Sequence, residues 1–314
     1  MTSVTPRRRG IVNPIVSVFL TAGIFALILH RVPLSAVAAA LHDSDQTRFL
    51  ALMIPNTLFY FAWDTLVLAV AIRWFHGAVP YGELLPVRAA SYVVGFFNTN
   101  LGRGAMAAYL SRRLHAPFLE LGSTVLFLVL TEYMQLVLWA MLGLLGLRTE
   151  VSHGLLAVAA AVVVLWLVVR WLVAPRGWSI SRTFRLATPE RYGAIVLLRA
   201  PMFFVSLVLH YYAAQAFGIH IPFSQMLTFL PVIFMVAALP VTVAHLGSTQ
   251  AAWIFFFGQY APTPQLLAFS LAAHLVFAFT RALLGVLWLP VAYSDLMPRA
   301  AGSSSLPGSP TLAR

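Results

Sequence analysis

Long apolar runs constrain this chain more than any other feature. Residues 154–173 and 265–292 pass through Leu, Val, Ala and Phe, broken only by an isolated Arg or His. Each run exceeds the ~18 residues at which a membrane-spanning helix becomes the leading reading. Only 9% of the residues are charged and 61% are hydrophobic, against roughly 25% charged in an ordinary soluble domain. A water-soluble fold could not cover its surface with so few polar groups. The expectation is an all-α, polytopic transmembrane bundle.

The formal charge is +11, and all basic residues are Arg. Most fall in short caps between apolar runs, the pattern of positive charge retained on the cytoplasmic side. That distribution points to a membrane partner and away from nucleic acid. With no cysteine, disulfides, thiolate metal sites and a Cys nucleophile are excluded. The nine His have no ligand spacing, so neither a metal nor another cofactor is expected. No H-E-x-x-H, G-x-S-x-G or P-loop pattern is present, so no enzymatic activity is expected.

Six full spans are expected, at about 14–30, 49–72, 117–147, 153–173, 193–217 and 264–293. They sit in a single transmembrane domain over 14–297, preceded by a basic cytoplasmic tail (1–13) and followed by a Ser/Pro/Gly-rich disordered tail (298–314). Two apolar stretches do not read as spans. Between 82 and 115 a polar tip interrupts the run at 98–104, and between 222 and 262 another does so at 239–248. Both read as re-entrant hairpins, whose irregular tips are tolerated at depth only inside protein or a wet cavity. If each hairpin returns to its side of entry, most arginines, Arg88 and the loop 176–191 included, fall on the cytoplasmic side with the N-terminus. Arg31, Arg48 and Arg148 fall outside. If each hairpin crossed once, the loop 176–191 would lie outside, against the charge rule. The halves 14–147 and 153–293 are then inverted relative to one another. Short matches support a repeat: Val79-Pro80-Tyr81 with Ile221-Pro222-Phe223, and Ala107-Ala108-Tyr109 with Ala251-Ala252-Trp253. Inverted repeats with broken helices point to a transport site near the midplane.

Asp64, Glu132 and Arg281 fall near the centres of spans, where a charge costs at least ~2.5–3.5 kcal/mol on insertion scales. They read as headgroup-binding (Arg281) and charge-balancing (Asp64, Glu132), or as structural ion pairs of either acid with Arg281. His274 shares a helical face with Arg281. Arg199 is close enough to the cytoplasmic end of its span to snorkel; the alternative is a phosphate contact. At the hairpin tips, Asn98, Asn100 and Arg103, and then His245 and Gln250, offer polar groups where a helix restarts. Exposed backbone N–H groups there suit an anion, unless these residues are simply caps.

Several features together resemble the flippase-like family that includes the membrane domain of lysylphosphatidylglycerol synthase. They are Arg73-Trp74 closing the second span, Gly102-Arg103-Gly104, Glu132, Leu239-Pro240 leading to Gly247, and Arg281 followed by Gly285. The likeness covers about 14–293. The sequence departs from that family's pattern at Leu101, Ala105, Tyr133 and Gln250. The resemblance implies translocation of a charged or glycosylated lipid between leaflets of a bacterial-type inner membrane, by a flippase or scramblase that forms a homo-oligomer. It does not imply aminoacyl-lipid synthesis, which in that family resides in a soluble transferase domain. Two other readings stay open: a proton-coupled small-solute transporter using Asp64 or Glu132, and a non-transporting membrane subunit of envelope-lipid synthesis.

Overall fold

A computed structural model describes residues 32–97, 99–145, 152–168, 176–238 and 247–294, with isolated positions at 23, 26, 28–30 and 171. The described residues contain no strand. The helices are α1 (Leu34–His42), α2 (Gln46–Phe75), α3 (Tyr81–Phe97), α4 (Thr99–Leu114), α5 (Phe118–Leu144) and α6 (Ser152–Val168). A 3-10 turn (Ser179–Ser181) then leads to α7 (Arg182–Leu186), α8 (Pro189–Gln215), α9 (Phe223–Ala238), α10 (Ser248–Phe257) and α11 (Thr263–Ser294). Four of them, α2, α5, α8 and α11, are long and apolar enough to cross a membrane. At 1.5 Å per residue the shortest of the four rises ~40 Å, against a hydrocarbon core of ~30 Å. Their outer faces carry large apolar side chains in the open: Leu138 is 57% exposed, Leu197 74% and Leu287 63%. In water such stripes would aggregate; against acyl chains they are solvated.

Of the other two expected spans, 14–30 lies almost wholly outside the described residues. The one at 153–173 is described as a helix only through Val168, a rise of ~26 Å. Helix α1 has no counterpart among the expected elements. It is short, has no buried residue of its own, and lies against α11.

The chain direction of the long helices follows from their end contacts. Asp45 N–H donates to Ala216 O at 2.8 Å, joining the start of α2 to the end of α8. Arg182 donates to Phe75 O at 2.7 Å, joining the end of α2 to the chain just before α8. Thus α2 and α8 run antiparallel. Two apolar cores follow, one at each end of the bundle. In the first, the C-terminal half of α2 and the N-terminal parts of α5 and α8 pack with α3 and α4 around Phe75, Phe127 and Tyr192. In the second, the opposite halves of the same helices pack with α9, α10 and the start of α11 around Phe217, Trp253 and Phe269.

Each short pair folds back on itself. Glu83 pairs with Arg113 at 2.6 Å, Arg88 meets Met106 at 3.4 Å, and Gly95 meets Gly102. As one partner advances the other recedes, which defines an antiparallel α3–α4 hairpin whose arms end at Phe97 and begin again at Thr99. A Cβ on Gly102 would lie 2.7 Å from Ser91 O and 2.8 Å from Gly95 Cα, so the arms meet backbone to backbone. The ring of Phe229 stacks on Phe256 at 4.9 Å, bringing α9 back along α10 in the same way. The expected first tip, 98–104, is shorter than the sequence suggested. Helix resumes at Thr99, so Asn100, Gly102, Arg103 and Gly104 belong to α4 and not to an irregular loop. Asn and Gly read as breakers there, yet the close approach of the two arms selects small residues within a helix.

The packing pairs off between halves. Helix α11 lies on α3 as α5 lies on α9, α2 packs on α11 as α8 packs on α5, and α4 meets α5 as α10 meets α11. Gly285 admits the backbone of α3 at Ala89 O, where a Cβ would come within 2.7 Å. Gly143 does the same for α9 at Thr228 Cα, also within 2.7 Å.

Candidate functional site

Between the two cores the long helices carry polar residues: Asn56, Tyr60 and Asp64 on α2, Glu132 and Gln135 on α5, Ser206 and His210 on α8, and Ser270, His274 and Arg281 on α11. With Arg88 and Tyr92 of α3 and Arg103 of α4, they surround a cavity of about 320 Å³. Both hairpins reach it near their turns, through Gly95 and Gly102 from one end and Ala237, Ala238 and Thr249 from the other. A smaller pocket of about 30 Å³ shares Asp64, Arg88, Arg103 and Glu132 with it and adds Arg199.

Asp64 sits between two cations. It accepts a charge-assisted hydrogen bond from Arg88, and Arg199 Nη1 lies 3.7 Å from its other oxygen. Arg199 is only 2% exposed. It does not snorkel: the expected route to the interface is closed because its Nη2 donates inward to Leu128 O at 3.3 Å. Its own carbonyl accepts from Gln135 at 3.1 Å, and the neighbouring Leu198 carbonyl accepts from Trp63 at 2.7 Å. These side chains from α5 and α2 hold α8 beside Pro201, where the missing amide already removes one helical hydrogen bond.

Glu132 is shared by Arg103, at 3.7 Å, and by the Tyr60 hydroxyl, which donates at 3.4 Å. Arg281 is held differently. Its guanidinium carbon lies 3.6 Å above the Tyr92 ring centre and 4.8 Å from that of Phe277. Among the described residues it forms no ion pair, so neither expected pairing, with Asp64 or with Glu132, is made. Burial leaves several donors in this layer without a hydrogen-bond partner among the described residues: Nε of Arg88, Nε and Nη1 of Arg199, Nε of Arg281 and the Tyr92 hydroxyl. Unsatisfied buried donors are costly, and here they gather around one cavity.

The remaining site candidates are dispersed. Asn98 and His245 lie outside the described residues, as does the side chain of Asn100. Gln250 is fully buried and faces its own helix end, accepting from Gly247 N–H at 2.7 Å as half of a capping box. Its Nε2 has no hydrogen-bond partner among the described residues, but Gln250 is not part of the cavity wall. Arg88 is the important residue that sequence reasoning misplaced. From the sequence it reads as one of the cytoplasmic arginines, but it lies partly buried two turns into α3, against Asp64. An Arg between Val87 and Ala89 inside a helix was the available signal.

A separate polar cluster closes the bundle end where α2 stops. His76 contacts Thr124 at 2.7 Å, Thr124 bonds Thr183 at 2.8 Å, and Arg182 pairs with Glu120 at 3.1 Å. Burial, aided by the charge of Arg182, pushes the His76 imidazole down to about 4, so it is neutral near pH 7 and acts as a structural hydrogen-bonding group.

No protein-family model and no curated protein matches the chain.

Proposed function

We propose that this chain is a lipid translocase, resembling the flippase-like family, in a bacterial-type inner membrane with its N-terminus in the cytoplasm. One observation carries the reading: a cavity rich in guanidinium groups lies midway along the bundle, between two helical hairpins that approach it from opposite ends. In a bilayer these pairs are re-entrant, and the exchange of packing partners between halves fits an inverted repeat, the architecture of alternating access around a central site.

The cavity's size, at the lower end of the ~300–1,000 Å³ typical of ligand pockets, suits a headgroup and leaves acyl chains outside. Its wall supports such a division. Leu275 lines the cavity yet is 38% exposed, and Phe279 and Leu283 continue along the outer face of α11, each 60% exposed. A headgroup enters the polar layer while its tails stay against this helix. A proton-coupled solute carrier is less well supported, since a proton carrier needs a carboxylate free to change partners. Asp64 is committed to two guanidiniums, and Glu132 to one and a tyrosine.

The test is a leaflet assay in reconstituted vesicles. Wild-type protein accelerates the movement of a fluorescent phospholipid between leaflets, and Arg281→Ala reduces that rate at least tenfold while eluting as the wild type does in detergent. Equal rates in protein-free and protein-containing vesicles, across several headgroups, would remove translocation from consideration.

A further inference from the structure

The charges around the cavity do not cancel. Arg88, Arg103, Arg199 and Arg281 share its walls and its small extension with only Asp64 and Glu132, leaving two positive charges in excess among the described residues. The two acids are each engaged by an arginine, and Asp64 by a second. The excess is therefore concentrated at Arg281 and at the unpartnered edge of Arg199. Aromatic rings hold Arg281 in place without neutralising it, as the faces of Tyr92 and Phe277 attract a cation but carry no net charge. An uncompensated cation is expensive where water is scarce. A ligand bringing matching negative charge, with acceptor oxygens for the idle Nε donors, relieves both costs together.

The distribution of charge is also one-sided. The cations Arg88, Arg103 and Arg281 stand on α3, α4 and the second half of α11, with Asp64 of α2, Glu132 of α5 and Arg199 of α8 beside them. The wall on the α8–α9–α10 side is formed by Met202, Phe203, Phe234 and Trp253, with Ser206, His210 and Thr249 between them. The occupant is therefore anionic at one end and uncharged at the other.

We infer that the cavity selects a lipid whose headgroup is a phosphate monoester or diphosphate, with its phosphoryl group at Arg281, beside the Arg103–Glu132 pair, and its uncharged part against the Phe203–Phe234–Trp253 wall. This rests on the translocase reading and narrows it. A monoester brings about −1.5 to −2 charges at pH 7, matching the excess. A zwitterionic headgroup leaves the excess in place, and an aminoacylated one adds a further cation to it.

The experiment measures binding to the purified protein in mild detergent, independently of transport, with four probes: dihexanoyl phosphatidic acid, dihexanoyl phosphatidylcholine, the lysyl ester of a short-chain phosphatidylglycerol, and inorganic phosphate. Phosphatidic acid binds at least tenfold more tightly than the other three, a difference of about 1.4 kcal/mol, and added salt weakens it. Arg281→Gln reduces that binding about tenfold. Glu132→Gln, which frees Arg103, tightens it several-fold, whereas a purely structural ion pair predicts weaker binding or a protein that fails to fold. If Glu132→Gln does not fold, the Arg281→Gln comparison and the four-probe ranking decide. Equal binding of the lipids, or preference for the lysyl ester, overturns the inference. Inorganic phosphate binding as tightly as phosphatidic acid overturns its lipid part and assigns the cluster to free anions. Headgroup-selective binding without leaflet movement would overturn the translocase reading and keep the ligand class. Leaflet movement indifferent to headgroup would do the reverse.

Discussion

The carboxylate of Asp64, flanked by Arg88 and Arg199, joins α2, α3 and α8 through one side chain. Removing one partner from a buried ion pair leaves an uncompensated charge and costs about 3–5 kcal/mol. Asp64→Asn is therefore expected to lower the thermal midpoint of the detergent-solubilised protein substantially. The double variant Asp64→Asn with Arg88→Gln recovers part of the loss, because it removes one of the stranded cations. Identical melting of the double and single variants would mean that Arg88 owes nothing to Asp64. Residue identities at this layer were partly legible from the chain alone, since Asp64, Glu132 and Arg281 each interrupt a long apolar run. Their partners were not. A single sequence shows that a charge is buried, but which cation comes to meet it depends on how the helices turn back. Arg88 and Arg103 are delivered by a hairpin whose depth no local pattern records.

At the scale of elements, the α3–α4 hairpin turns on two glycines with opposite requirements. Gly102 admits the backbone of the other arm, while a Cβ on Gly104 would meet nothing within 4 Å. Gly102→Ala drives a methyl into backbone that cannot rotate away, and is expected to destabilise by about 1–3 kcal/mol as an overpacked contact does. Gly104→Ala relieves the entropic penalty of glycine within a helix and is expected to stabilise by about 0.5–1 kcal/mol. Thermal midpoints of the two variants side by side check the pair; shifts of the same sign would contradict the backbone-to-backbone contact. That the chain does not simply cross here was readable, because an apolar stretch of about fourteen residues before the polar tip rises only ~21 Å as helix, short of a crossing. The extent of the turn was not readable. Local propensity placed a polar tip of several residues where packing against Gly95 permits continuous helix from Thr99. Helix α1 was missed because it is short: none of its residues is fully buried, only Val37 and Ala40 pack partly against the core, and it falls well below the length that marks a span.

For the whole molecule, the arginine distribution and the packing agree on one point, that α2 and α8 run in opposite directions. The distribution of arginines requires the loop 176–191 on the cytoplasmic side if both short pairs return to their side of entry. The packing, which knows nothing of a membrane, joins the end of α2 to α7 and the start of α2 to the end of α8. Asp43 and His220 therefore share one end of the bundle and Arg185 lies at the other; all three are exposed. Because the chain is free of cysteine, single Cys substitutions report sidedness without background. Asp43→Cys and His220→Cys are expected to react with an impermeant maleimide in intact cells, and Arg185→Cys only after permeabilisation. Reaction of Arg185→Cys and His220→Cys from the same side would break the antiparallel pairing of α2 with α8. The two short pairs would then no longer enter from opposite faces, and the proposal of alternating access to the cavity between them would fall. The expected pattern places the two short pairs on opposite faces, as the proposed translocase requires.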